Sequence, residues 1–218
     1  MAGLELVYKG AEAYLYKTVF LETEVIVKYR LPKPYRDPLL DKRIRRDRTI
    51  LEARIILRLK ELGIPVPTLF MVDPERALLI IEYIRGQRLK ELIDKLSIKV
   101  IEKYINIIGK NVGIMHKNGI VHGDLTTSNI IVRDNIPFII DFGLAQYSEE
   151  LEDQGVDIHL FLRSLESTHP RYVNRLFNAF ITGYEEAVGS QKKILVLEKV
   201  REIRMRGRYV EERRLKKQ

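Results

Sequence analysis

Apolar and polar positions alternate from the start of the chain. Leu4–Lys9, Tyr14–Phe20 and Glu24–Arg30 read as three strands, most clearly in Glu24-Val25-Ile26-Val27-Lys28. Pro32, Pro34 and Pro38 then break the pattern and predict a loop. From about Asp41 to Leu62 the period becomes helical, with Ile44, Leu51, Ile55 and Leu59 (or Leu62) on one side, and Gly63 and Pro65 end it. Thr68–Asp73 and Ala77–Glu82, separated by Pro74, predict two more strands. Beyond residue 86 the chain turns mostly helical. Ile101, Ile105, Ile108, Val112 and Met115 form one stripe of a long buried helix that stops at Gly119. An irregular polar turn (His122–Asn129) and two short apolar runs (Ile130–Val132 and Phe138–Ile140) follow, then more helix to about Arg206. The pattern predicts an α+β chain with a β-rich lobe over 1–83 containing one main helix. A connector near Tyr83–Gly86, a helical lobe over 84–200 and a basic tail over 201–218 complete it.

Composition narrows this picture. With 45% hydrophobic residues in 218, the chain can bury a core. It has no cysteine, so neither a disulfide framework nor a thiolate metal site is open to it, which suits a reducing cytoplasmic setting. No apolar run approaches the ~18 residues needed to span a bilayer, and Glu5, Lys9 and Glu12 make Met1–Tyr14 unlike a signal peptide. The net charge of +8 is unevenly spread. Residues 28–60 carry twelve Lys or Arg against four Asp or Glu, and residues 192–218 carry eleven against four, while the stretch between them is acidic. Basic blocks of this kind suit an anionic partner such as nucleic acid, and in the tail Arg204, Arg206, Arg208, Arg213 and Arg214 are the candidate contacts, to RNA or to a docking protein partner.

Four elements in fixed order carry candidate chemistry. Lys28 closes the third strand, where a cation on a rigid element can meet the α and β phosphates of ATP. Glu52, beside Leu51 and Ile55 in the next helix, can pair with that lysine and aim it. His122-Gly123-Asp124-Leu125-Thr126-Thr127-Ser128-Asn129 follows the apolar helix, so Asp124 can accept a hydroxyl proton and Asn129 a metal ion. Asp141-Phe142-Gly143 follows an apolar run and places Asp141 to hold Mg²⁺ against the phosphates.

These residues resemble the protein kinase superfamily over roughly Gly10 to Asp157. The resemblance implies a minimal two-lobed kinase-like fold with ATP and Mg²⁺ held between the lobes. It implies backbone contacts to adenine from Glu82 and Ile84, a loop-orienting role for His122, and Asp157 bracing the catalytic loop. His116 reads as structural. There are departures. Lys9-Gly10-Ala11-Glu12-Ala13 stands where a three-glycine phosphate loop is usual, Gly123 replaces the loop arginine, and Thr126 stands where a lysine is usual. No A-P-E-like anchor follows Asp141-Phe142-Gly143.

Those departures, with Lys28-Tyr29-Arg30, Glu52-Ala53-Arg54, His122–Asn129 and Ser167-Thr168-His169-Pro170, resemble the small atypical serine/threonine kinases of the KEOPS (EKC) complex, the PRPK type. That family implies a cytoplasmic complex whose transferase subunit makes threonylcarbamoyladenosine on ANN-decoding tRNAs. It also implies ATPase activity within the complex and serine phosphorylation outside it, with tRNA as a partner and neither DNA nor membrane. An aminoglycoside/choline-type kinase would need a larger insertion than the roughly 35 residues between Tyr83 and His122. A RIO-type kinase fits Asp141-Phe142-Gly143 poorly, and a catalytically silent scaffold fits an intact Lys28, Asp124, Asn129 and Asp141 poorly.

Overall fold

The N-terminal strand-forming runs pair side by side. In the computed structural model, which describes residues 3–215 and side chains as far as Arg206, β1 (Glu5–Lys9), β2 (Ala13–Phe20) and β3 (Thr23–Arg30) are consecutive antiparallel strands. Helix α1 (Pro38–Glu61) leaves the sheet, and β4 (Leu69–Asp73) and β5 (Leu78–Glu82) return to it, giving the order β1-β2-β3-β5-β4. Strand β3 therefore lies in the middle. Lys28 sits opposite Leu15 on one neighbour and Leu79 on the other, so its backbone is fixed from both sides.

The loop expected around three prolines is shorter than the sequence suggests, because Pro38 opens α1. Its missing N–H costs nothing in a first helical turn. Asp37 caps that turn by accepting from the Leu39 and Leu40 amides, each at 3.0 Å. The buried side of α1 also differs from the expected stripe. Ile55 and Leu59 are buried with Ile56 and Ala53, but Ile44 and Leu51 are only half-buried. Polar Asp41, Thr49 and Glu52 take the remaining inner positions, so a stripe read from apolar residues alone drifts off the true inner face.

The chain divides into two units, Met1–Arg85 with Phe138–Leu144, and Gly86–Pro137 with Ala145–Gln218. The segment 138–144 thus belongs with the N-terminal sheet, and the Ile139 amide donates to the Pro65 carbonyl at 3.0 Å.

In the second unit β6 (Gln87–Arg88) leads into the short α2 (Leu89–Leu92) and then α3 (Ile98–Lys117). Ile101, Ile105, Ile108, Val112 and Met115 are all fully buried on α3. After Gly119, whose φ of 65° lets the chain reverse, β7 (Ile120–Val121) precedes the polar turn. Strand β8 (Ile130–Arg133) pairs with β6, β9 (Ile136–Ile139) follows, and β10 (Gln146–Tyr147) pairs with β7. Helices α4 (Leu151–Thr168), α5 (Val173–Val188) and α6 (Ser190–Leu215) complete the unit. Helix thus continues past Arg206, the expected end, because residues 207–215 contain no proline and only Gly207 as a breaker.

Helices α3 and α5 meet almost backbone to backbone. A Cβ at Gly109 would lie 2.0 Å from the Phe180 carbonyl oxygen, and one at Gly183 would lie 1.9 Å from that of Asn106. Gly109→Ala should therefore force the helices apart and lower stability by roughly 2–3 kcal/mol. Urea denaturation measures this, and a loss below 0.5 kcal/mol, the ordinary range for surface changes, would contradict so close an approach.

Candidate active site

The site residues of the first unit are built on the central strand, on α1 and on the turn after β9. The Lys28 Nζ donates to Glu52 Oε1 at 2.7 Å and to Asp141 Oδ1 at 2.7 Å. Lys28 and Glu52 are buried, while the Asp141 side chain is half-exposed. Burial alone would push the ammonium towards its neutral form. The Glu52 and Asp141 carboxylates outweigh that and hold its pKa above the usual lysine value, so Lys28 is a cation throughout the neutral range.

Asp141 takes a left-handed backbone, with φ of 63°. That conformation is uncommon for a residue with a Cβ and clusters at functional positions. Its Oδ1 also accepts from the Gly143 amide at 3.3 Å. Gly143 lets this turn approach the lysine, since a Cβ there would stand 3.0 Å from Lys28 Nζ. Phe142, between them, is buried.

The sequence reading missed Arg30. Its Nη2 donates to the second oxygen of Glu52 at 2.6 Å, and the residue is 3% exposed. The signal was available, because Arg30 lies two residues beyond Lys28 and so shares its face of the strand.

The other expected phosphate contacts lie at the turn between β1 and β2. The Gly10 amide donates to the Ala13 carbonyl at 3.1 Å, which closes the turn. Glu12 faces Arg48 at 2.9 Å, so its charge is already matched. Lys33 donates to the Ala11 carbonyl, and Lys9 lies over the Tyr14 ring at 5.4 Å. In the connector, the Glu82 amide is taken by the Thr68 carbonyl and the Tyr83 amide by that of Glu24. Ile84 is buried.

The second unit holds the polar turn. Asn129 Nδ2 donates to both the Asp124 carbonyl and Asp124 Oδ2, each at 2.9 Å, which ties the two ends of the turn together. Asp157, 1% exposed on α4, accepts from the His122 amide at 2.5 Å and the Gly123 amide at 2.8 Å. His122 is itself buried, with Nδ1 3.3 Å from the Asp124 amide. His116 Nε2 lies 3.3 Å from the same Asp157 carboxylate, and its Nδ1 lies 3.0 Å from the Tyr184 hydroxyl on α5. Tyr184 had no local signal, because Leu176, Phe180 and Tyr184 read simply as a helical core stripe. Burial would raise the Asp157 pKa, but His116, His122 and the backbone donors outweigh it and hold the carboxyl below its ordinary value.

Of the tail cations, Arg204 pairs with Glu166 at 2.7 Å and Arg206 pairs with Glu152, both glutamates standing on α4. These pairs are solvent-exposed and therefore weak. The side chains of Arg208, Arg213 and Arg214 lie outside the described residues.

Because the folded Asp157 carboxyl is depressed, its stabilisation is complete above the unfolded pKa of about 3.9 and is lost as pH falls through the folded value. Asp157→Asn leaves one acceptor oxygen and turns an amide donor towards one of the two backbone N–H groups, and should cost about 3 kcal/mol at neutral pH. The gap to the parent should narrow at pH 3 in urea titrations. An unchanged gap at both pH values would mean that the carboxylate charge is not what holds the turn.

Comparisons with known proteins extend the geometry. The protein kinase domain family matches residues 17–173. The KEOPS complex subunit Bud32 of Pyrococcus abyssi is 46% identical over 214 residues, 95% of this chain and 97% of that protein. A probable bifunctional tRNA threonylcarbamoyladenosine biosynthesis protein of Methanothermobacter thermautotrophicus is 38% identical over 96% of this chain. The match spans only 38% of that longer relative. Among solved structures, the Rio2 kinase of Chaetomium thermophilum in its ADP/Mg²⁺-phosphoaspartate complex matches with a TM-score of 0.65 at 16% identity. That match covers 92% of this chain and 70% of the Rio2 chain, a likeness of fold alone. Identity that runs almost from end to end, together with the kinase match over most of the length, means that the chain belongs to the protein kinase domain family and, within it, to the Bud32 family of KEOPS subunits.

Proposed function

We propose that this chain is the ATP-binding kinase subunit of a KEOPS complex, an ATP-dependent phosphotransferase that supports threonylcarbamoyladenosine formation on tRNAs reading ANN codons. The observation that carries the reading is the Lys28 ammonium, kept charged on the central strand between Glu52 and Asp141. A buried cation held beside a half-exposed carboxylate is what a nucleotide triphosphate with its metal requires. The partners are a tRNA threonylcarbamoyl transferase subunit and its companions, and the setting is cytoplasmic. No helix among the described residues is long and apolar enough to cross a membrane.

Each residue then has a task. Adenine meets backbone groups of Glu82 and Ile84; since Thr68 already takes the Glu82 amide, Glu82 contributes its carbonyl. Lys28 turns from Asp141 to the phosphates, and Glu52 keeps it aimed. The available metal donors are the Asp141 carboxylate and the Asn129 amide oxygen, since Asn129 Nδ2 is committed to Asp124. Among the described residues no group of three or more His, Asp or Glu gathers to hold a metal ion. Oxygen donors of this kind fit Mg²⁺, which would take waters and phosphates as its other ligands and, when bound, would neutralise charge on the phosphate oxygens. Asn129 holds Asp124 by Oδ2, so Oδ1 is the atom that receives the hydroxyl proton of a serine or of water. Asp157 and His122 keep that turn in shape.

Thr126 supplies no cation to the transferred phosphate, and loss of one such charge typically costs roughly 10²–10³ in rate. An arginine delivered in trans restores ~10³–10⁵ in other phosphotransferases. ATP turnover of the isolated chain should therefore be slow and should rise at least tenfold with its partner subunits and tRNA. Equal turnover in both settings would refute the reading that partners or tRNA make up for the missing cation. Asp141→Asn should abolish hydrolysis and the modification together. If modification persists without hydrolysis, the chain is a scaffold and not a working kinase.

The tail is read as a tRNA contact. Deleting residues 204–218 should weaken tRNA binding and flatten its dependence on salt between 50 and 200 mM. Unchanged affinity and slope would assign the tail to a protein partner.

A further inference from the structure

Glu52 answers two cations, not one. Its Oε1 is 2.7 Å from Lys28 Nζ and its Oε2 is 2.6 Å from Arg30 Nη2, with all three residues at least 94% buried. Asp141, at 2.7 Å from Lys28, brings the group to two positive and two negative charges. Arg30 gains little for itself. Its Nε is buried without a hydrogen-bond partner, and a buried unpaired donor is a cost that demands some return. Its place is also specific, because a Cβ at Gly143 would lie 3.6 Å from Arg30 Nη2 and 3.0 Å from Lys28 Nζ. The guanidinium therefore stands beside the turn that carries Asp141.

We propose that Arg30 is a positioning residue for nucleotide binding, holding Glu52 by its second oxygen so that Lys28 can turn to a phosphate. The electrostatic reason is simple. When Asp141 turns to a metal ion, a Lys28–Glu52 pair alone has no net charge to offer a triphosphate, and the whole of the carboxylate's pull falls on the ammonium. With Arg30 in place, Glu52 remains matched while Lys28 swings away, and the group keeps one net positive charge. Guanidinium suits the role because it stays charged under burial.

The inference rests on the nucleotide reading above, and its test separates the two. ADP affinity in excess Mg²⁺ is measured by calorimetry for the full chain, Arg30→Met, Arg30→Lys, Glu52→Gln and the double variant Arg30→Met/Glu52→Gln. Near-UV circular dichroism checks each fold. Arg30→Met should weaken ADP about tenfold and Arg30→Lys about threefold, while in the Glu52→Gln background Arg30→Met should change affinity by less than about twofold. Should Arg30→Met lose its fold, Arg30→Lys takes its place in the same cycle, and its threefold loss should vanish when Glu52 is neutral. Unaltered affinity on replacing Arg30, or an equal loss in both backgrounds, overturns the proposal. A parent chain that binds no ADP instead overturns the nucleotide reading itself.

Discussion

A charged amine in the middle of a β-sheet survives only if something negative is held beside it, and the arrangement of the N-terminal unit follows from that demand. Strand β3 carries Lys28 inward, where dehydration favours loss of its proton. Helix α1 must therefore present a carboxylate at a buried position, and it gives Glu52 a place that an aliphatic side chain would otherwise fill. The cost of burying these three charges falls when each is hydrogen-bonded and geometry is tight, as it is here at 2.6–2.7 Å. The pairing also fixes how α1 faces the sheet, since a turn of the helix about its axis would strand all three charges.

The second unit solves a different problem with the same means. A turn rich in backbone N–H groups has to keep one carboxylate and one carboxamide in place with no regular structure beyond a single 3-10 turn, Thr127–Asn129. Asp157 supplies acceptors for the amides of His122 and Gly123, and Asn129 laces the far end back to Asp124. The anchor is itself anchored, through His116 to Tyr184. Irregular backbone is made stiff by buried polar side chains whose own bonds are satisfied.

The strands and the long buried helix were legible in the sequence because their patterns are local and repeat within a few residues. Spacing within the polar turn and in Asp141-Phe142-Gly143 is itself distinctive, and Lys28 does meet Glu52 and Asp141, as Asn129 meets Asp124. What escaped reading was whatever depended on partners distant in the chain. Pro38 looked like a helix breaker and is a helix opener, a difference decided by the Asp37 cap beside it. Ile44 and Leu51 seemed to define the inner face of α1, but Asp41 and Glu52 displaced it once Arg45 and Lys28 were there to receive them. Arg30 stood in the sequence only as part of the Lys28-Tyr29-Arg30 run, without a task, because only the fold brings Glu52 to it. The tail cations Arg204 and Arg206 likewise found carboxylates on α4 that no linear pattern announces.

The near-contact of α3 and α5 through Gly109 and Gly183 carries a mechanical consequence. Two helices separated by side chains can slide, because rotamers yield; two that touch main chain to main chain have nothing soft between them. The polar turn that follows α3 and the tyrosine that steadies it from α5 are therefore mounted on a single stiff chassis. Any deformation within this helical unit has to be taken up elsewhere in it, leaving that mount undisturbed.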